Sequence, residues 1–221
     1  MSTSPQEAPL ETFPALDALT HLRAGFFRRV PGLDVQTDRD TAMARLASIH
    51  RAAQDRAGFD GMPLATAVQV HGNSVREVFA GDEFPVADCD ALMTRERRLC
   101  LGIYVADCAA VFIADKFGRG IALAHSGRKG TELGIVPRTI DFLLTHTGAA
   151  PDDLVVQISP CIRPPHYEVD FAAEIRCQAA EAGIVEIHDN LRCTASDPAA
   201  YYSYRRESGK TGRLLAAMAM I

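Results

Sequence analysis

Residues 100–126 read CLGIYVADCAAVFIADKFGRGIALAHS. Three apolar runs, Cys100–Val105, Ala109–Ala114 and Ile121–Ala124, are separated by Ala106-Asp107-Cys108 and by the glycine-bearing segment Asp115–Gly120. The runs are apolar on both faces, the pattern of strands in a sheet covered on both sides. The glycines between the second and third runs predict a hairpin there. Asp107 interrupts fifteen otherwise uncharged residues between Leu99 and Ala114. A carboxylate between two buried strands needs a partner. It acts either as an acceptor that orients a ligand imidazole or as a turn carboxylate bonded to backbone amides.

Working outward, Ala65–Val70 and Ser74–Phe79 read as strands, with His71-Gly72-Asn73 as a hairpin turn between them. His21–Val30 reads as a strand closed by Pro31-Gly32. Thr37 is the expected cap of a helix to about Ala57, with Leu46, Ile49 and Ala53 on one face and Gly58 as its stop. Residues 1–20 read as a flexible tail, which leaves 21–221 as one domain. Downstream, Thr131–Thr147 reads as one helix with Pro137 near its first turn. Leu154–Ser159 reads as a strand, Asp170–Ala182 as a helix ended by Gly183, and Gly212–Ile221 as a buried closing strand. Hairpins mixed with crossovers predict an α/β (α+β) globule with mixed sheets rather than a regular doubly wound fold.

The chain has 221 residues, 48% hydrophobic and 23% charged, enough to bury a core without disulfides. Its net charge of −5 disfavours a nucleic-acid partner, which calls for a basic face. The apolar runs Ala109–Ala114 and Leu214–Ile221 fall well short of the ~20 residues that span a bilayer. The N-terminal stretch has neither a basic nor an apolar leader region, so the expected location is the cytoplasm. The six cysteines form no CxxC pair and suit a reducing compartment. With no Trp, any stacking on a ligand falls to Phe, Tyr or His.

Gln69-Val70-His71-Gly72, Ala106-Asp107-Cys108 and Ala124-His125-Ser126-Gly127 each put a reactive side chain at the end of an apolar run. His71, Cys108 and His125 together offer two imidazoles and a thiolate, a donor set suited to zinc. The same residues also fit a buried thiol beside two turn histidines, or a metal-free Cys108 nucleophile with a histidine base. Ser126-Gly127-Arg128-Lys129-Gly130-Thr131 leads into a helix and could cradle an anion, or be a solvated basic turn. Arg28-Arg29 is a second candidate for anion contact. Ser203-Tyr204-Arg205-Arg206 and Thr211-Gly212-Arg213 either line a pocket or form a salt-bridged surface turn.

Taken together, these segments resemble the laccase-domain family, also called multicopper polyphenol oxidase or YfiH-like proteins. The family order of QVHG, D-A-L-hydrophobic-T, ADC, HAGWRG, PCI with YEV, and SYRR with TGR is met from about residue 22 to the end. The matching residues are Gln69–Gly72, Asp90–Thr94, Ala106–Cys108, His125–Gly130, Pro160–Ile162 with Tyr167–Val169, and Ser203–Arg206 with Thr211–Arg213. The resemblance implies a four-layer α-β-β-α sandwich of stacked mixed sheets. It implies zinc, with copper as the lesser choice, held by His71, Cys108 and His125. It further implies phosphorolysis of adenosine, inosine or methylthioadenosine and deamination of adenosine. On that basis Cys108, Asp107 and His125 are the expected catalytic residues, and Arg28, Gln69, Arg128 and Lys129 the expected contacts to purine nucleoside and phosphate. Phenol oxidation and a non-catalytic nucleotide-binding role are the other readings. The chain departs from the family pattern at Arg128 (tryptophan in the family), Lys129 (arginine), Ala109 (proline) and Val30-Pro31-Gly32 (a glycine pair).

Overall fold

The chain passes from one β-sheet to another at Ala106-Asp107-Cys108. In the computed structural model, which describes residues 7–221, the chain begins with β1 (Leu10–Glu11), α1 (Pro14–Asp17), β2 (Leu22–Phe27), α2 (Arg39–Gln54) and a π-helical turn (Asp55–Phe59). It continues through β3 (Leu64–Ala65), β4 (Val75–Glu77), β5 (Ala91–Thr94), β6 (Cys100–Val105), β7 (Ala109–Asp115) and β8 (Ile121–Ser126). Then come α3 (Arg128–Glu132), α4 (Ile135–Thr147), β9 (Leu154–Ile158), α5 (Phe171–Glu181), β10 (Glu186–Asp189) and β11 (Leu214–Met220). One sheet has the order β1-β2-β11-β6-β3, the other β10-β9-β7-β8-β5-β4. Both mix parallel and antiparallel pairs.

Side-chain alternation explains the layers. On β7, Ala110, Phe112 and Ala114 pack into the core between the sheets, while Ala109, Val111 and Ile113 pack toward the helices. On β8, Ile121 and Leu123 face inward, and Ala122 and Ala124 face the helix layer. The next residue in that alternation, His125, therefore takes the inter-sheet side. Val136, Ile140 and Leu143 of α4 and Ile175 and Ala179 of α5 cover the outer face of the six-stranded sheet. The α2 segment covers the other sheet, where Phe59 meets Phe27 edge-on and His50 stacks on Tyr104. The result is helix, sheet, sheet, helix. Fully buried rings such as Phe26, Phe27 and Phe112 each contribute about 1.5–3 kcal/mol. Phe112→Ala would cost about 3–5 kcal/mol.

Several local expectations are corrected. His71-Gly72-Asn73 is not a hairpin turn: β3 pairs with β6 in one sheet and β4 with β5 in the other. It is a second crossing between sheets. Asp38, not Thr37, caps α2 through its carboxylate and the Thr41 N–H, at 3.0 Å. Gly134, in the left-handed region at φ 72°, splits the expected single helix into α3 and α4. Residues 7–20 are not a loose tail, because Ala8, Phe13 and Leu16 are buried and Phe13 packs on Phe112. Residues 1–6 lie outside the described residues. No helix of the described residues is long and apolar enough to cross a membrane.

Candidate metal and substrate site

The two crossings meet at one end of the sheets, beside the end of β8. His71 and Cys108 come from the crossings and His125 from the strand. Their nitrogen and sulfur ligand atoms lie within 4.8 Å of one another. The imidazole centroids of His71 and His125 are 4.8 Å apart with their planes at 78°. His71 is exposed, Cys108 half-buried and His125 buried.

Both crossings hold a non-glycine residue in the left-handed region, His71 at φ 59° and Asp107 at φ 83°. Such a conformation costs of order 1–3 kcal/mol and persists only where its surroundings impose it. For His71 the imposing group is Asp90, directly before β5. The Asp90 carboxylate accepts the backbone N–H of His71 at 2.9 Å, of Gly72 at 2.7 Å and of Val70 at 3.3 Å. Its Oδ1 also accepts from His125 Nδ1 at 2.8 Å, which leaves His125 Nε2 as the free ring nitrogen. Burial alone would raise the Asp90 carboxyl, but the hydrogen bonds from His125 and Gly72 outweigh it and hold its pKa below the usual value. One buried carboxylate thus sets both the His71 turn and the His125 tautomer.

Asp107 does a different job. Its Oδ1 accepts from the Thr194 hydroxyl and its Oδ2 from the Arg205 N–H, each at 2.7 Å, and its carbonyl accepts from Ile162 N–H at 2.8 Å. It pins the Cys108 crossing to two downstream loops, and its bonds among the described residues go to Thr194, Arg205 and Ile162 rather than to a ligand imidazole. Of the two roles open from sequence, the turn carboxylate is the one found. Asp90 takes the imidazole-orienting role, and its sequence signals are its place at the head of the apolar run Ala91–Met93 and in the family element Asp90–Thr94.

Cys108 and His125 sit in a mutually ionising arrangement. Burial pushes the Cys108 thiol up, but the His125 charge and hydrogen bonds from His125 and His71 more than reverse this, bringing its pKa to about 6. Burial pulls His125 down, and the Cys108 thiolate and Asp90 more than compensate, raising it to about 9. Cys108 and His125 therefore favour a thiolate and an imidazolium, and a cation can take the place of the imidazolium proton. Atoms bonded to one tetrahedral zinc stand about 3.3–3.6 Å from each other, so a span of up to 4.8 Å closes on an ion once the side chains draw in by about 1 Å. Gly127 keeps the space open, since a Cβ there would lie 2.5 Å from Cys108 Sγ.

A cavity of about 910 Å³ opens above the trio. Its walls include Tyr167 and Phe171, packed edge-on at 6.1 Å between centroids, with Ile162 and Tyr104. Arg39, Arg128, Lys129, Arg205 and Arg213 line it, against the carboxylates of Asp107 and Glu132. Arg128 donates to Glu132 at 2.9 Å, and Glu168 stands 3.7 Å from Arg128 and 3.2 Å from Arg205. Gln69 lines the cavity, but both ends of its amide bond the Tyr104 backbone, at 2.8 and 3.1 Å. Arg28 is elsewhere, in a separate small cavity with Pro9, Arg29 and Asp197. The helix after Gly127 has only five residues, so an anion in the main cavity would be held by side-chain charge. Sequence reasoning did not single out Thr194, Arg39 or Phe171, and it named Asp90 within the Asp90–Thr94 element without assigning it a role.

A family model described as multi-copper polyphenol oxidoreductase laccase matches residues 29–174 and 169–221. A purine nucleoside phosphorylase of Mycobacterium tuberculosis is 30% identical over 182 residues, covering 71% of this chain and 72% of that protein. One from Streptomyces coelicolor is 31% identical over 185 residues, covering 71% and 75%. The crystal structure of YlmD from Geobacillus stearothermophilus has a TM-score of 0.82 at 24% identity, covering 98% of this chain and 99% of its own. A Neisseria meningitidis protein structure has a TM-score of 0.80 at 18% identity, covering 97% and 99%. These two likenesses show a shared fold. On the family match over most of its length, with relatives at this level of identity, the chain belongs to the multi-copper polyphenol oxidoreductase laccase family.

Proposed function

We propose that the protein is a zinc-dependent purine nucleoside phosphorylase that cleaves adenosine, inosine or methylthioadenosine with phosphate, and that the same pocket deaminates adenosine. The observation that carries this reading is the meeting of His71, Cys108 and His125 at the base of a cavity walled by aromatic rings and cations. The names of the relatives support the reaction class.

His71 and His125 with Cys108 would hold the ion, and zinc there supplies Lewis-acid charge at the cavity base. Asp90 keeps the two imidazoles oriented, and Asp107 fixes the loop that carries Cys108. The partly exposed Tyr167 ring, backed by the buried Phe171, offers an aromatic surface to a purine. Lys129 and Arg128 lie in the turn after His125 and attract phosphate oxygens. In phosphorolysis a phosphate oxygen bonds the anomeric carbon as the bond to the purine nitrogen breaks, and the electron pair leaves with the base. Holding both reactants in one cavity supplies the proximity part of the rate. Cytoplasmic location belongs to the same reading and is supported by six cysteines free of disulfides.

A second reading is favoured by the ionised Cys108 beside His125: a metal-free thiol hydrolase or amidase. His71→Ala separates the two. The zinc reading expects bound zinc and phosphate-dependent hypoxanthine release from inosine to fall together, the latter at least 100-fold. Zinc and turnover both unchanged in His71→Ala contradict it. Activity that persists in metal-free protein and is lost on alkylation of Cys108 would support the thiol reading.

A further inference from the structure

The cavity holds more positive charge than one phosphate uses. Of its five cationic side chains, Arg128 and Arg205 are engaged with Glu132 and Glu168. Arg39, Lys129 and Arg213 form no ion pair among the described residues. Lys129 belongs to the turn that follows His125. Arg39 and Arg213 come from the start of α2 and from the segment before β11, and both line the same cavity. Among the described residues the Arg213 guanidinium donates only to the carbonyls of Thr211 and Gly212, both at 3.0 Å, and its charge centre stands 6.0 Å from the Tyr204 ring centroid. It is half-buried, and burial and the Arg39 charge both disfavour its ionised form. The Asp107 carboxylate and Cys108 act on Arg213 in the opposite sense without offsetting burial and the Arg39 charge, and two guanidinium groups that line one cavity with no salt bridge to a carboxylate among the described residues are matched by an anion. The chain as a whole carries −5, so this clustering is local and not the overflow of a basic protein.

We propose that Arg39 and Arg213 form a second phosphate subsite, and that the substrate is a purine nucleotide, a nucleoside carrying a phosphate on its sugar. This rests on the nucleoside reading above and narrows it. The free phosphate that attacks the anomeric carbon is held near Lys129. The sugar phosphate of the substrate sits on Arg39 and Arg213, with the base against the aromatic wall. A cavity of about 910 Å³ lies at the upper end of the size range for small-molecule sites, about 300–1,000 Å³, with room for both ligands. Charge-assisted bonds to a phosphate dianion from paired guanidiniums are strong and geometrically selective.

Calorimetric titration of adenosine and of AMP into the full-length protein tests this, with and without saturating inorganic phosphate. The expected result is AMP binding at least tenfold tighter than adenosine, with inorganic phosphate changing AMP affinity less than threefold. In Arg39→Gln, an exposed position that leaves the core untouched, the AMP-to-adenosine ratio falls toward one, while Arg39→Lys retains most of it. AMP and adenosine binding within twofold of each other, a ratio unchanged in Arg39→Gln, or direct competition between AMP and inorganic phosphate would each overturn the proposal. Turnover is read separately. Tight, Arg39-dependent AMP binding without phosphorolysis of any purine compound would refute the phosphorylase reading and leave the subsite standing.

Discussion

Asp90 Oδ1 lies 2.8 Å from His125 Nδ1, and both side chains are buried. The same carboxylate gathers the backbone amides of Val70, His71 and Gly72. It therefore connects two of the three metal-ligand candidates before any ion arrives. Asp90→Asn would turn an NH₂ group toward at least one backbone N–H and leave it unsatisfied. The expected effects are a loss of about 1–3 kcal/mol in stability and a fall of about 10–100-fold in zinc affinity. Thermal unfolding of the metal-free protein and chelator competition measure the two. Wild-type zinc affinity in this variant would show that Asp90 has no part in arranging the ligands.

Zinc affinity should depend on pH in a particular way. Cys108, lowered to about 6, is already a thiolate above that pH, and His125, raised to about 9, keeps its proton until that pH. Between pH 6 and 9 the ion must therefore displace the His125 proton, and affinity rises with pH by about tenfold per unit. Below pH 6 the Cys108 proton must leave as well, and the slope steepens. Above pH 9 neither group holds a proton and the rise stops. Competition titrations at pH 5.5, 7.5 and 9.5 read the three regimes. A flat profile from pH 6 to 9 would contradict the paired ionisation.

Gly127→Ala places a methyl group 2.5 Å from Cys108 Sγ and 3.8 Å from His71 Cδ2. Backbone strain plays no part, since Gly127 has φ −97°. The thiol must move, at a cost of about 1–3 kcal/mol. The expected outcome is a folded protein with zinc content below half that of wild type. Metal analysis alongside circular dichroism checks it.

Thr194→Val removes the hydroxyl that donates to Asp107 Oδ1. Asp107 also keeps its bond from the Arg205 N–H. The expected stability loss is about 1–3 kcal/mol. Turnover falls because the cavity wall loosens, while zinc content stays at the wild-type level. A drop in zinc content matching that of Asp90→Asn would give Asp107 the ligand-orienting role instead.

Legibility in the sequence followed how local each signal was. The β6, β7 and β8 runs stood out because both their faces are buried, and α5 because Asp170 caps it and Gly183 follows it at φ 88°. His71-Gly72-Asn73 has hairpin chemistry, but which strands β3 and β4 join is decided by distant partners that no local pattern shows. β10 was missed because every residue from Glu186 to Asp189 is only partly buried, so the strand carries no apolar signature. The N-terminal anchors Ala8, Phe13 and Leu16 are spaced too irregularly to suggest an element. Asp90 and Asp107 both stand beside apolar strands. Telling the imidazole-orienting one from the loop-pinning one required knowing that residues 70–72 fold back onto Asp90.

The most direct test is metal analysis of protein purified without chelator, wild type and Cys108→Ser side by side. The account predicts about one zinc per wild-type chain, and little or none in Cys108→Ser when the variant is washed under identical conditions. Wild-type protein free of metal, or a Cys108→Ser variant that holds zinc as well as wild type, would contradict it.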